Sequence, residues 1–150
     1  MTYIIIAFII AAADLLIKNF IERYYWTYRD KYIFGGFMRI TKSHNNGGFL
    51  NFLEKTPKMF KLISYIIFII VTIAFGLVIG KNRSKLVKMG LALIFGGAVS
   101  NESDRLIKGS VTDYVSFRLP FIKKIMFNVA DFAIFAGAAM VCVGEALKSD

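Results

Sequence analysis

"IMFNVADFAIFAGAAMVCVG", Ile125 to Gly144, is apolar enough to lie in a lipid bilayer, and its length matches the about 20 helical residues that a hydrocarbon core needs. It also carries Asn128 and Asp131. Three residues apart, they share one face of a helix. A carboxylate at mid-bilayer costs about 2.5–3.5 kcal/mol on insertion scales. A partner or a function must offset that cost, so this stretch predicts a membrane helix with a polar, working face.

The rest of the chain supports the membrane reading. Of its 150 residues 57% are hydrophobic, and the mean hydropathy is +0.59. A soluble domain of this composition would expose large apolar patches. The net charge of +9 suits contact with anionic lipid headgroups. It does not point to nucleic acid, because no basic region with interleaved aromatics stands outside the apolar segments. The single cysteine, Cys142, excludes an intrachain disulfide, and the single histidine, His44, excludes a His-rich metal cluster. At the start, "YIIIAFIIAAAD" (Tyr3 to Asp14) has the Ala-x-Ala pattern of a signal peptide. It lacks a basic n-region, and apolar character resumes at Leu15, so an uncleaved first span is expected.

These features predict one all-α membrane domain over residues 1–150. Four transmembrane helices are expected at about 3–21, 62–79, 86–107 and 125–147. The second, "LISYIIFIIVTIAFGLVI", has no charge. The third meets Glu102 early and continues as a helix only if "ESDRLI" lies at an interface or a water-filled cleft. Between the first two helices, "ERYYWTYRD" (Glu22 to Asp30) sets Tyr24, Tyr25, Trp26 and Tyr28 at a membrane–water boundary. "KYIFGGFMRITKSHNNGGFLNFL" then favours short strands with turns at Gly35–Gly36 and Asn46–Gly47. A small extracytoplasmic β-rich cradle is therefore expected at about 22–58. The short loop "GKNRSK", with Lys81, Arg83 and Lys85, and then Lys88, argues for a cytoplasmic position and both termini inside. The long first loop is also basic, so charge alone does not fix the orientation.

Asp14, Asp104, Asp113 and Asp131 lie in or beside the apolar segments. Intramembrane ionisable residues usually face the bundle interior and pair there. Asp14 and Lys18 are spaced for an i, i+4 ion pair. Asn101, Asp104 and Arg105 share a helix face; in isolation they read as a solvated helix end. Asn128 and Asp131 could make an ordinary interhelical hydrogen bond, worth on average only about 0.6 kcal/mol. Asp113 and Asp131 flank one loop and can meet at one membrane face. Two carboxylates in one site tend to share a single proton. The ionised member can deprotonate water while the protonated one polarises a carbonyl, as in an aspartic protease. A proton or ion pathway could use the same carboxylates. The inverted repeats and broken helices that mark many small transporters are not seen in the sequence.

Five blocks in order resemble lipoprotein signal peptidase, the signal peptidase II family of bacterial intramembrane aspartic proteases. "DLLIK" (Asp14 to Lys18) resembles D-x-x-x-K, and "HNNGG" (His44 to Gly48) resembles H-N-x-G-A. "GGAVSNESDR" (Gly96 to Arg105) is similar to G-G-A-x-G-N-x-x-D-R, and "GSVTDY" (Gly109 to Tyr114) to G-x-V-x-D-F. "FNVADFAIFAG" (Phe127 to Gly137) is similar to F-N-x-A-D-x-x-I-x-x-G. The resemblance implies four membrane helices, a β-cradle and a short helix after the first span. It implies removal of signal peptides from prolipoproteins, with the cut just before a diacylglyceryl-cysteine, and no cofactor. Asp113 and Asp131 would be the catalytic dyad. Asp14 and Lys18 would support the first span, and Asn45, Gly47, Asn101 and Arg105 would line the substrate site. Asp104 and Asn128 would hold the polar cluster. The cyclic lipopeptide globomycin, which inhibits the family, would bind between the aspartates.

Three departures stand out. Ser100 replaces the glycine before the asparagine and is expected to crowd a tight helix contact. Glu102 is expected to point away from the face of Asn101, Asp104 and Arg105. Phe49 stands where the family has a small alanine and would narrow the mouth of the site. A non-catalytic paralogue that binds signal peptides or lipopeptides, in an immunity or resistance role, is the alternative these changes raise.

Overall fold

The computed structural model describes residues 1–24, 30–46, 56–119 and 125–147. Four helices and three strands follow one another: α1 (Thr2–Tyr24), β1 (Lys31–Ile33), β2 (Met38–Asn45), α2 (Pro57–Ile79), α3 (Lys85–Lys108), β3 (Val111–Phe117) and α4 (Val129–Ala146). Thr2–Tyr24, Lys58–Ile79 and Val129–Ala146 are long and apolar enough to cross a membrane. The chain is a mostly helical, multi-pass membrane protein.

Local chemistry sets the helix ends. Pro57 opens α2, where its missing N–H leaves no bond unmade. The Ser84 hydroxyl accepts from Val87 N at the start of α3, and Gly109 ends it at φ 83°, a left-handed conformation that costs glycine little. α3 runs unbroken through "ESDRLI" because that polar stretch is covered. Asn101, Glu102 and Asp104 are all buried.

α3 is the central helix and packs on α1, α2 and α4. Two glycines permit close approach. A Cβ on Gly97 would stand 2.6 Å from the Ala130 carbonyl oxygen of α4, and one on Gly96 2.5 Å from that of Ala7 on α1. Small residues at such crossings let backbones meet where lipid offers no hydrophobic drive for association. α2 touches α3 mainly through rings: Phe75 stacks on Phe95 at 4.7 Å and Phe68 at 6.3 Å.

The sheet corrects the sequence reading twice. The fold is not all-α outside a cradle at 22–58, and the sheet is not confined to the first loop. Its order is β1-β2-β3, all antiparallel, and β3 comes from the segment between α3 and α4. Seven residues in the sequence "VTDYVSF" are almost wholly buried, so they lack the polar–apolar alternation that marks a half-exposed strand. The turn at Gly35–Gly36 occurs as expected, with Phe34, Gly35 and Gly36 all at positive φ. α4 starts at Val129 rather than at 125, because Phe127 pairs with Val115 of β3 through bonds of 2.9 and 2.7 Å. Tyr25, Trp26, Tyr28, Gly47 and Phe49 lie outside the described residues. Among the residues described between α1 and α2 there are strands and a turn but no further helix.

Candidate active site

The site forms where β3, α3 and α4 converge. On α4, Asn128 and Asp131 make a reciprocal cap: the Asn128 side chain accepts from Asp131 N, and Asp131 Oδ2 accepts from Asn128 N. This capping box satisfies two otherwise open amides. It fixes Asp131 in the first turn of α4, where the helix dipole favours a negative charge. The Phe127–Val115 pairing then draws this cap against β3, which carries Asp113 beside it.

Every carboxylate oxygen of the two aspartates has a donor. Asp113 Oδ1 accepts from Asn128 Nδ2 at 2.7 Å, and Oδ2 from Asn45 Nδ2 at 2.9 Å. Asp131 Oδ1 accepts from Asn101 Nδ2 at 3.0 Å. Asn45 reaches Asp113 diagonally across the sheet, because Asp113 itself pairs with Ser43. A register shift in β2 between Ile40 and Ser43 precedes this pairing; such bulges re-aim side chains beside functional sites. Asp113 lies on β3, outside the helices. Its burial, and then the neighbouring Asp131 carboxylate, push it up to about 7, against the pull of the Asn45 and Asn128 amides.

Behind the aspartates lies a buried ionic cluster. Lys18 Nζ sits 2.7 Å from Asp14 Oδ2 and donates to Asn101 Oδ1 at 2.7 Å. Asn101 thus links Lys18 to Asp131. Asp14 Oδ1 accepts from Tyr114 Oη and Val129 N, both at 3.0 Å, which ties α1 to β3 and α4. Asp104 accepts from Thr112 N at 2.9 Å and pairs with Lys108 at 2.7 Å. Asp14 and Lys18 are therefore no helix-surface pair. Both are fully buried, and burial of a charge pair is tolerated only where the remaining lone pairs and protons find partners.

Two departures take unexpected places. Ser100 does not crowd the helix contact. Its hydroxyl donates to Asp14 Oδ2 at 2.6 Å and accepts from Lys18 Nζ at 3.1 Å. Nor does Glu102 point away. It is buried, pairs with Arg105 Nη1 at 3.3 Å and accepts from Ser64 of α2 at 3.2 Å. The i, i+3 spacing of Glu102 and Arg105 was the signal for this contact. Nothing local in the sequence marked Ser64, and Tyr114 entered only as the last residue of its block.

A cavity of ≈ 410 Å³ opens on this ground. Asp113, Asp131, Asn45, Asn101, Glu102 and Arg105 form most of its polar lining, and apolar side chains, chiefly of α2, of α4 and of Met126 and Phe127 before it, form most of the rest. It joins an apolar trough to one polar corner, which suits an apolar chain with a single reacting bond. Among the described residues no group of three or more His, Cys, Asp or Glu could hold a metal ion. Of the ten site residues expected from sequence, nine lie in or against this cluster, and Gly47 is outside the described residues.

Comparison with known proteins agrees with the geometry. The family described as signal peptidase (SPase) II matches residues 6–147. Lipoprotein signal peptidase of Lactobacillus johnsonii is 33% identical over 94% of this chain and 89% of its own length. That of Lactiplantibacillus plantarum is 32% identical over 95% and 92%. A solved bacterial membrane enzyme superposes with a TM-score of 0.85 at 24% identity, covering 99% of this chain and 90% of the other.

Proposed function

The chain belongs to the signal peptidase II family, and we propose that Asp113 and Asp131 are the carboxylates with which it cuts. It is a lipoprotein signal peptidase, an aspartic endopeptidase acting on prolipoproteins. The observation that carries the dyad is the pair of buried, amide-held carboxylates on the wall of an apolar cavity. One proton is shared between them. Asp113, raised to about 7, holds it and donates to the scissile carbonyl oxygen. Asp131, at a helix N-terminus, carries the charge. It takes a proton from water as that water's oxygen bonds to the carbonyl carbon. The tetrahedral intermediate collapses as the C–N bond breaks and the leaving amine gains a proton from the dyad. The cut falls before a cysteine that carries diacylglycerol.

The remaining roles follow from position. α3, the least apolar helix, also crosses the membrane, with its polar stretch covered by α1, α2, β3 and α4. The sheet lies on the extracytoplasmic side, and the basic turn around Lys81 and Arg83 lies in the cytoplasm, where positive charge is favoured. The acyl chains of the substrate stay in lipid, gaining about 0.8 kcal/mol per buried CH₂, and so hold the scissile bond at the depth of the dyad. Globomycin occupies the same cavity.

Incubating the purified protein with a synthetic diacylated prolipoprotein peptide tests this reading. Cleavage before the lipidated cysteine is expected, with much slower turnover of the same peptide without lipid. Equal rates would remove the lateral anchoring argument. Binding without cleavage would mark a non-catalytic relative.

A further inference from the structure

Glu102 and Arg105 stand on the cavity wall one helical turn apart, and the reaction as described uses neither. The two contacts that Glu102 makes, to Arg105 Nη1 and to the Ser64 hydroxyl, both end on Oε2. Among the described residues Oε1 takes part in no hydrogen bond. Arg105 is held on a second side, with its guanidinium carbon 5.1 Å from the centre of the Phe60 ring. Glu102 Oε1 is therefore a charged acceptor on the cavity wall that the protein's own described donors leave unused, beside its counter-ion Arg105.

We infer that Glu102 binds one peptide unit of the signal peptide, its Oε1 accepting the peptide N–H while Oε2 stays on Arg105 and Ser64. An extended chain in an apolar trough leaves its amides unpaired, and an unpaired amide in such a place is costly. A charged acceptor on the wall satisfies an N–H of that chain whatever the side chains are. The ion pair also keeps the wall electrically balanced: Arg105 without Glu102 would set a lone cation near the dyad. Ser64 and Phe60, on successive turns of α2, hold the pair in place and tie α2 to α3. Glu102 is thus a specificity-determining residue for the same cleavage, and the assignment rests on the dyad reading above.

An amide-to-ester scan tests it. Diacylated prolipoprotein peptides are made with one backbone N–H at a time replaced by an ester oxygen, and kcat and KM are measured for the full chain and for Glu102→Leu. Removing one charge-assisted hydrogen bond raises KM about tenfold. The wild type is expected to show that rise at one position, with kcat little changed, as loss of uniform binding requires. Glu102→Leu is expected to show the raised KM with every peptide and no further rise at that position. Ser64→Ala, which leaves Glu102 in place but loosens it, gives a smaller rise and serves where Glu102→Leu does not fold. An ester penalty that persists undiminished in both variants, or no sensitive position in the wild type, overturns the inference. Asp113→Asn runs alongside: turnover by that variant would instead unseat the dyad.

Discussion

The two walls of the cavity are built differently. The α4 wall is locked: Gly97 lets the α3 backbone meet that of α4, Phe127 pairs with β3, and the Asn128–Asp131 cap fixes the first turn. The α2 wall is held by ring stacking, one serine and one arginine–aromatic contact. α2 buries far less of its apolar length than α4 does. Reacting groups need fixed geometry, and the proposed dyad sits where packing and hydrogen bonds over-determine position. α2 leaves most of its apolar surface exposed, the side from which the proposed lateral entry of a membrane-borne substrate would come.

Substitutions on the two walls should therefore differ, most of all at the dyad. Asp113→Asn and Asp131→Asn are each expected to lower cleavage of the diacylated peptide by at least about 10³-fold while the protein stays folded in detergent. The double variant should be little worse, because groups acting as a unit are not additive. Near-normal turnover by either single variant would refute the assignment.

Glycines on the two walls give the next contrast. A methyl at Gly97 meets the Ala130 carbonyl, whereas one at Gly76 of α2 meets nothing within 4 Å. Gly97→Ala should lower stability by about 1–3 kcal/mol. Gly76→Ala should leave it unchanged or raise it slightly, by up to about 1 kcal/mol of helix propensity. Thermal melting in detergent compares them, and equal shifts would mean that the two helices are packed alike.

The pH profile probes the locked wall alone. Below about 7 Asp113 keeps its proton and the dyad is competent. As pH rises through that value the proton is lost, both carboxylates are charged and the acid for the carbonyl is gone. Single-turnover rates should fall about tenfold per pH unit on the alkaline side. A flat profile to pH 9 would mean that the proton is held elsewhere.

Ser100→Ala should give the smallest change, about 1 kcal/mol. Asp14 and Lys18 keep each other as partners when the hydroxyl between them is removed. A much larger loss of melting stability would show that the serine is essential to burying the pair.

What was legible in the sequence follows from local geometry. Apolar length identified the membrane class and the helices, since a span needs about 20 residues whatever surrounds it. Helical spacing paired Asp14 with Lys18, Asn101 with Asp104 and Arg105, and Asn128 with Asp131, because i, i+3 and i+4 neighbours share a face in any helix. The order of the five blocks pointed to the family. Only the tertiary structure could take β3 out of a buried stretch without alternation, pair it with β2, and use Phe127 to carry the α4 cap to Asp113. It also turned Glu102 inward, onto Ser64 of a helix 38 positions away in the chain. Strand register and helix–helix contact depend on groups far apart in sequence, and their energies exist only once the chain has packed.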